Sequence, residues 1–375
     1  MKLINLVFLH ALIVGALPLD GDGGSDSKQS TIQYSLAATI PWAPVNATSV
    51  DQSAVHNGTY YLSDRNNFGV HVIDLATNQQ RTVITGDFAG LGTAADHSTS
   101  GPNGLVVLPE KNELYVGDTN GTVRVINLLT NTIVASIQTG STTRADEFGF
   151  DPESNTVVVT NPEEKPPFIS IIAADTRKVT GHIIFNNASG LEQPAFNSHT
   201  KRFYISVPST DEYPGGAIAV LDESNKAVSQ WIVLDSCNPA GIVFGPEYNL
   251  FVGCSSDQIL TFNLAYSLVI DVRSSRIVGN ITGLSGIDQV AYNPNANLYY
   301  AAAYQNQAGG SANGAPTPQL GIIDARRNTL VQTITTDNAT AHSVAVDPQT
   351  NKLIIPIKKT GIEVYDLPEF KCSQG

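Results

Sequence analysis

The sequence predicts an all-β protein folded as a single seven-bladed β-propeller. A phrase that opens with polar residues and continues into an apolar strand, a short turn and a second strand recurs seven times. The copies begin about 43 to 54 residues apart, the length of a four-stranded blade. The composition agrees, because 31 Gly and 20 Pro in 375 residues suit a turn-rich β protein, and no long amphipathic helix is visible.

Each copy predicts one blade. In the second copy, strand patterns at 104–108, 113–117, 122–127 and 132–138 are separated by turns rich in Asn, Asp and Gly. The seven copies begin at Asp51, Asn103, Asp146, Glu192, Ala240, Asp288 and His342. The first strand of each blade lies nearest the central channel, so these seven positions are predicted to form a ring at one end of it.

The last copy, 342–367, holds strand patterns for only part of a blade. The segment 31–40 alternates like a strand, and we predict that it supplies the missing strand and closes the ring, which removes two exposed sheet edges. The predicted organisation is a signal peptide at 1–16, a flexible leader at 17–30, the propeller at 31–368 and a tail at 369–375.

The repeat resembles the YVTN-type propeller repeat that YncE-like proteins share. Related phrases occur at 61–82 and 298–335, and the clearest copy reads Leu114-Tyr115-Val116-Gly117-Asp118 followed by Gly121-Thr122-Val123-Arg124-Val125. The resemblance covers essentially the whole mature chain and implies the propeller fold. Its motifs specify blades, so it implies no particular activity.

The N-terminal segment is typical of a secreted, extracellular protein. Lys2 precedes an apolar stretch at 3–16 that ends in small residues, as signal peptides do, and the stretch is too short for a membrane anchor. An oxidising compartment would let Cys237 and Cys254 pair, since they lie at the two ends of a predicted hairpin. Acceptor triplets for N-glycosylation occur at Asn46, Asn57, Asn120, Asn187, Asn280 and Asn338.

The charge of the chain excludes two classes of partner. A formal net charge of −13 and a pI near 4.8 give a surface that nucleic-acid phosphates and anionic lipid repel. The sequence contains no nucleophile elbow, P-loop, dinucleotide fingerprint or His-Glu-x-x-His motif. We therefore expect a monomer whose partner is a small-molecule substrate or ligand.

The ring is the predicted site of chemistry, because six of its seven positions are polar and four are carboxylates. Oxygen ligands that converge on an axis suit one divalent cation, Ca²⁺ before others. The predicted metal ligands are Asp51, Asn103, Asp146, Glu192 and Asp288. The predicted catalytic residues are His342, Asp146, Asp288 and, for a register shifted by one residue, Glu147. The alternative is a channel whose polar walls only bind water.

Further residues are predicted to contact the substrate. Arg65 and Arg144 lie near the same face and suit a substrate carboxylate. Three glutamines directly follow ring acids in the sequence, and they are Gln52, Gln193 and Gln289.

Two functions remain open on this sequence. One is a secreted small-molecule enzyme for lactone hydrolysis, isomerisation or cyclisation, by analogy of architecture with gluconolactonase-like hydrolases and fungal cyclising enzymes. The other is a non-catalytic propeller that binds a sugar, a peptide or a partner protein. Apart from the divalent cation, we predict no cofactor.

Overall fold

The computed structural model describes residues 33–92, 97–222, 224 and 226–367. The predicted signal peptide at 1–16, leader at 17–30 and tail at 369–375 lie outside these residues. Within the described ranges, no helix combines the length and the apolar character needed to cross a bilayer.

The described residues form seven four-stranded antiparallel sheets arranged as the blades of a propeller, which confirms the predicted fold class. The first strand in the chain is β1 (Ser35–Ile40). Blade one holds β2 (Val50–His56), β3 (Thr59–Asp64), β4 (Gly69–Asp74) and β5 (Gln79–Thr85), and blade two holds β6 (Leu105–Leu108), β7 (Glu113–Asp118), β8 (Thr122–Asn127) and β9 (Thr132–Gln138). Blade three holds β10 (Phe148–Asp151), β11 (Thr156–Asn161), β12 (Phe168–Ala173) and β13 (Lys178–Ile184). Blade four holds β14 (Pro194–Asn197), β15 (Arg202–Val207), β16 (Ala217–Asp222) and β17 (Ala227–Val233), and blade five holds β18 (Pro239–Phe244), β19 (Asn249–Cys254), β20 (Tyr266–Asp271) and β21 (Arg276–Thr282). Blade six holds β22 (Val290–Asn293), β23 (Leu298–Ala303), β24 (Gln319–Asp324) and β25 (Thr329–Thr335). Blade seven holds β26 (Ala345–Val346), β27 (Leu353–Ile357) and β28 (Gly361–Asp366) together with β1.

Among the residues that the structure describes, helical structure is confined to short segments between strands. The helix α1 (Ser256–Phe262) stands between β19 and β20, and the Ser255 side chain caps it by accepting a hydrogen bond from the Asp257 backbone N–H. Three 3-10 helices lie at His97–Thr99, Pro109–Lys111 and Ala308–Gly310.

The last blade joins the first and last segments of the described chain. Its strand order is β1-β28-β27-β26, so β1 is the outermost strand. β1 pairs with β28 in antiparallel register from Ser35 opposite Asp366 to Ile40 opposite Ile362. The blade beside β2 is thereby four strands deep like the others, and the innermost strands of neighbouring blades contact one another all the way round the ring.

The apolar core is divided among the interfaces between neighbouring blades. Each cluster is filled by β-branched and aromatic side chains from two adjacent sheets. Phe251 and Tyr299, for example, stack across blades five and six with their ring centroids 5.0 Å apart. Each pair of neighbouring blades is therefore held together by its own apolar cluster.

Two glycines let the ring positions approach one another closely. A Cβ on Gly104 would overlap the backbone oxygen of Asp146, and a Cβ on Gly241 would overlap that of Asp288. Each glycine lies in or beside the first strand of the preceding blade. The absence of a side chain at these two positions therefore allows the backbone at Asp146 and Asp288 to pack closely against the preceding blade.

The predicted disulfide between Cys237 and Cys254 is confirmed. It ties the segment before β18 to the end of β19, and both cysteines are fully buried. All six predicted acceptor asparagines are exposed, as glycosylation requires, and their glycosylation stays a prediction.

Candidate functional site

A polar cavity of about 500 Å³, here called the mouth cavity, opens where the blades converge. Six of the seven predicted ring positions line it, and these are Asp51, Asp146, Glu192, Ala240, Asp288 and His342. Residues that directly follow the second strand of a blade add to the wall: Arg65 after β3, Ser255 after β19 and Tyr304 after β23. Two equivalent positions of the repeat thus supply much of the lining, and neighbouring residues such as Arg144 and Glu147 complete it.

Three acids in this cavity, Glu147, Glu192 and Asp288, form what we call the carboxylate cluster. Each offers a carboxylate oxygen, and the three oxygens all lie within 4.8 Å of one another. Glu147 is only 5% exposed. Its Oε1 accepts a hydrogen bond of 2.5 Å from Gln52 Nε2, whereas its Oε2 is buried without a partner in the described structure. A buried carboxylate oxygen without a partner is costly, and it points to a missing ligand or proton.

Three acids of the mouth cavity, Asp146, Glu147 and Glu192, have pKa values above those of ordinary carboxyls. Burial raises the pKa of Glu147 and that of Glu192 well above the usual value, and the neighbouring carboxylates raise both further. Burial also raises the pKa of Asp146 to about 6, although the Arg144 guanidinium lowers it. Neutralising this negative charge, by protons or by a cation, therefore stabilises the folded site.

Arg65 is held by its neighbours at the edge of the cavity. Its guanidinium forms an ion pair with Asp51 and donates from Nε and Nη2 to Asn103 Oδ1 at 3.2 and 3.0 Å. The Asn103 side chain is fully buried, and its Nδ2 donates to the backbone oxygens of Ser100 and Ala145. Asn103 does not line the mouth cavity, and its amide oxygen faces an arginine, so it fits poorly as a metal ligand.

Arg144 is committed in the same way. Its Nη2 lies 2.8 Å from Asp146 Oδ2, and its Nε donates to Glu163 Oε1 at 3.1 Å. The two arginines thus compensate Asp51 and Asp146. Among the residues that the structure describes, no Arg or Lys forms an ion pair with the carboxylate cluster. Both arginines line the cavity, but each reaches it with its charge already paired.

His342 is paired with one member of the cluster. Its Nδ1 lies 3.0 Å from Asp288 Oδ2, and the ring of Tyr304 lies beside it with the centroids 5.2 Å apart. Burial lowers the pKa of His342, but the hydrogen bond and charge of Asp288 outweigh it, so the net shift is upward. Burial raises the pKa of Tyr304 far above its usual range, and Asp288 adds to the shift, so the phenol stays protonated.

None of the three predicted glutamines lines the mouth cavity, although Gln52 contacts it indirectly by donating to Glu147. All three line a separate cavity of about 250 Å³ further along the first strands, at the far end of the channel. Gln289 Oε1 accepts from the backbone N–H groups of Ser53 and Val344, and Gln193 Oε1 accepts from a backbone N–H of the next blade. The glutamines therefore join different blades, and this placement does not favour the predicted contact with substrate.

Tyr304 is a site residue that the sequence analysis did not single out. It is the first residue after β23 and opens the long segment before β24. Arg65 occupies the equivalent position after β3 in the first blade. The signal that could have identified Tyr304 is therefore its repeat position, one residue beyond the second strand, where side chains reach the mouth cavity.

Comparisons with known proteins support the fold and nothing finer. No protein-family model and no curated protein matches the sequence. A chain of Kuenenia stuttgartiensis hydrazine synthase matches the structure with a TM-score of 0.69 and 12% identity over 86% of this chain and 96% of that one. A chain of the mitotic checkpoint complex matches with a TM-score of 0.63 and 11% identity over 95% of this chain and 99% of that one. At such identities the likeness shows the β-propeller fold alone.

Proposed function

We propose that this protein is a secreted enzyme that acts on a small molecule in the mouth cavity, by lactone hydrolysis or by a related isomerisation or cyclisation. The observation that carries the proposal is the carboxylate cluster, whose oxygens converge beside a histidine–aspartate pair with one buried oxygen left unpaired. Unpaired buried charge costs free energy, so a fold retains it mainly where a function uses it.

One divalent cation, Ca²⁺ before others, fits the carboxylate cluster. Two oxygens bound to the same Ca²⁺ at about 2.4 Å lie at most about 4.8 Å apart, and the cluster oxygens all lie within 4.8 Å of one another. The unpaired Oε2 of Glu147 is a ready ligand atom. Two of the five predicted ligands stay in this set, and three leave it because arginines use their oxygens: Asp51, Asn103 and Asp146.

The protein's own side chains supply proton transfer and orientation. Asp288 holds His342 through Nδ1, which leaves Nε2 to take a proton from water and return it to the leaving oxygen. In lactone hydrolysis, the water oxygen bonds to the carbonyl carbon, the ring C–O bond breaks and the released alkoxide receives that proton. The Tyr304 hydroxyl donates a hydrogen bond to a substrate oxygen. When bound, the cation would polarise the substrate carbonyl.

Secretion belongs to the same proposal. The buried disulfide and six exposed acceptor asparagines support an oxidising, glycosylating pathway. The strand phrases support the proposal that the blades are repeats of the YVTN type. The protein acts as a monomer in this reading.

The test measures metal content and turnover in the same preparation. The full chain is secreted from a eukaryotic host, purified without chelators and analysed by inductively coupled plasma mass spectrometry. A panel of lactones is then titrated for acid release, and unsaturated and cyclic products are sought by NMR. We expect about one equivalent of a divalent cation, lost in Glu147→Gln and kept in Asp257→Asn, which removes an exposed acid from α1.

The outcomes separate the two parts of the proposal. A bound cation without turnover of any lactone or isomerisation substrate would overturn the proposed enzymatic activity and favour a propeller that only binds its ligand. Turnover by protein that holds no metal would overturn the proposed cation site. The reaction would then proceed by acid–base catalysis from the side chains alone. Absence of both would overturn the proposal as a whole.

His342→Gln tests the proton-transfer role separately. We expect kcat to fall by about 10²-fold or more, because a positioned general base contributes about that much. The cation content should stay near that of the parent, since His342 contacts the cluster only through Asp288. Loss of the cation together with activity would show that His342 acts through the metal site instead.

A further inference from the structure

A third cavity, of about 380 Å³ and here called the rim groove, lies at the outer edge of the propeller between blades three and four. Its apolar walls come from the outermost strands, with Ile183 and Ile184 on β13 and Trp231 on β17. Tyr213 closes one side, with its ring centroid 5.8 Å from that of Trp231. The volume falls within the range of about 300–1,000 Å³ that is usual for ligand pockets.

The rim groove also has a polar edge. This edge, beside the aromatic rings, is formed by Thr210, Glu212 and Lys226. Glu212 and Lys226 are both exposed. The groove therefore offers ring faces and hydrogen-bonding groups side by side. That combination suits a sugar, because a pyranose has apolar C–H faces and a rim of hydroxyls.

One of the predicted glycosylation acceptors, Asn187, is itself a lining residue of this groove. Asn187 is exposed and is followed by Ala188 and Ser189, so the acceptor triplet is complete. Its backbone is fixed against the adjacent loop, since the Asn187 carbonyl accepts a hydrogen bond from Asp211 N at 3.1 Å. A glycan attached there would begin at the groove.

We propose that the N-linked glycan of Asn187 folds back into the rim groove, with its first sugars packed against Trp231 and Tyr213. The occupant is covalently attached, so its effective concentration at the groove is high and it needs little affinity to stay there. The glycan would cover the exposed apolar face of Ile184, which is 58% exposed without it. The proposal rests on the secretion proposed above and is independent of the chemistry in the mouth cavity.

The first measurement is the rate at which peptide N-glycosidase releases each glycan from the native, secreted protein, followed site by site by mass spectrometry. We expect release at Asn187 to be slower than at Asn280 by about tenfold, which corresponds to about 1.4 kcal/mol of packing. Asn280 is the matched control, because it is an exposed acceptor on the outermost strand β21 of blade five. In Trp231→Ala, release at Asn187 should approach the rate at Asn280.

Thermal unfolding gives a second readout that does not depend on the glycosidase. Asn187→Gln should lower Tm by about 2 °C, whereas Asn280→Gln should leave it nearly unchanged. In the Trp231→Ala background, Asn187→Gln should have no further effect, as a double-mutant cycle requires for two interacting groups. Equal release rates at the two sites, or equal Tm losses in the two single variants, would overturn packing in the groove.

Site occupancy separates this inference from the proposed secretion. If the other acceptors carry glycans and Asn187 carries none, the inference fails while secretion stands. If no acceptor carries a glycan in protein recovered from its natural secretory route, both fail. Neither result bears on the activity of the mouth cavity.

Discussion

The two ends of the central channel are lined by consecutive residues of the same blades, and they differ in how fully their polar atoms are paired. In blade six, Asp288 lines the mouth cavity and Gln289 lines the far cavity. Blades one and four repeat this pairing of an acid with a following glutamine. The side-chain amide of Gln289 forms hydrogen bonds with the backbone of blades one and seven, whereas Asp288 lies close to other carboxylates.

Blade three breaks the pattern. Its ring acid is Asp146, but the next residue is Glu147, where three other blades have glutamine. Glu147 is buried, reaches the mouth cavity and leaves Oε2 unpaired. In a repeat protein, a costly buried acid at a position where three other blades have glutamine is a stronger sign of function than the polar character that six of the seven ring positions share. The far end is built for stability, and the mouth gives up stability around Glu147.

The largest effect is expected at the far end, for Gln289→Ala. The change leaves the backbone N–H groups of Ser53 and Val344 without their acceptor and removes the bond from Nε2 to the Ser53 oxygen. Each buried group left unpaired costs about 1–3 kcal/mol, so the free energy of unfolding should fall by about 2–5 kcal/mol. Urea unfolding followed by circular dichroism measures it.

Gln193→Ala is the matched control for that prediction. Gln193 accepts one backbone hydrogen bond, from Ile242 N, so the same substitution should cost about 1–2 kcal/mol. If both variants lose the same stability, the difference in pairing between the two glutamines does not govern the stability of the channel.

At the mouth, Glu147→Gln should affect stability and binding in opposite directions. The amide of the variant keeps an oxygen that can accept from Gln52, and it removes a negative charge that lies among other carboxylates. In chelator, the variant should therefore be more stable than the parent protein by about 1–3 kcal/mol. Cation affinity should fall by about 100-fold or more, because one of three charged ligands is lost. Isothermal titration with CaCl₂ and urea unfolding in chelator measure the two effects.

A destabilised Glu147→Gln variant would contradict this comparison, since it would show that the carboxylate is well paired in the folded protein. Asp257→Asn provides the control for the charge change alone. As an exposed residue in α1, it should shift stability by less than about 0.5 kcal/mol and leave cation affinity unchanged.

The same contrast marks the limit of what the sequence can predict. The spacing of the repeats and the polar residues at the start of most copies identify the blades and the ring, because each blade is a local unit of about 45 residues. They do not reveal which oxygens meet, since partners such as Arg65 and Asn103 are far apart in sequence and meet only through blade packing. The acid–glutamine alternation is visible in the sequence, but the sequence does not show that the acid and the glutamine line different cavities, because two of the three pairs precede their strands.

The smallest effect is expected for pH in protein freed of metal by chelator. Burial raises the carboxyl pKa values of Asp146, Glu147 and Glu192, to about 6 for Asp146. Between about pH 4, where unfolded carboxyls ionise, and these raised values, the folded chain binds more protons than the unfolded chain. Stability must therefore fall as pH rises through that window. We expect unfolding at pH 7.5 to require less free energy than at pH 5, by about 1–2 kcal/mol.

Two features of the molecule keep this comparison interpretable. Asp74 and Asp324 are acids with lowered pKa values, which lose their stabilising charge only in more acidic solution, so they contribute equally at both pH values. The raised pKa of His342 acts in the same direction as the cluster, because its protonated form pairs with Asp288 and is lost as pH rises. Glu147→Gln should reduce the difference in unfolding free energy between pH 5 and pH 7.5. A parent protein that is more stable at pH 7.5 than at pH 5 would contradict the prediction, because it would show that the acids of the mouth cavity ionise at no cost to the stability of the fold.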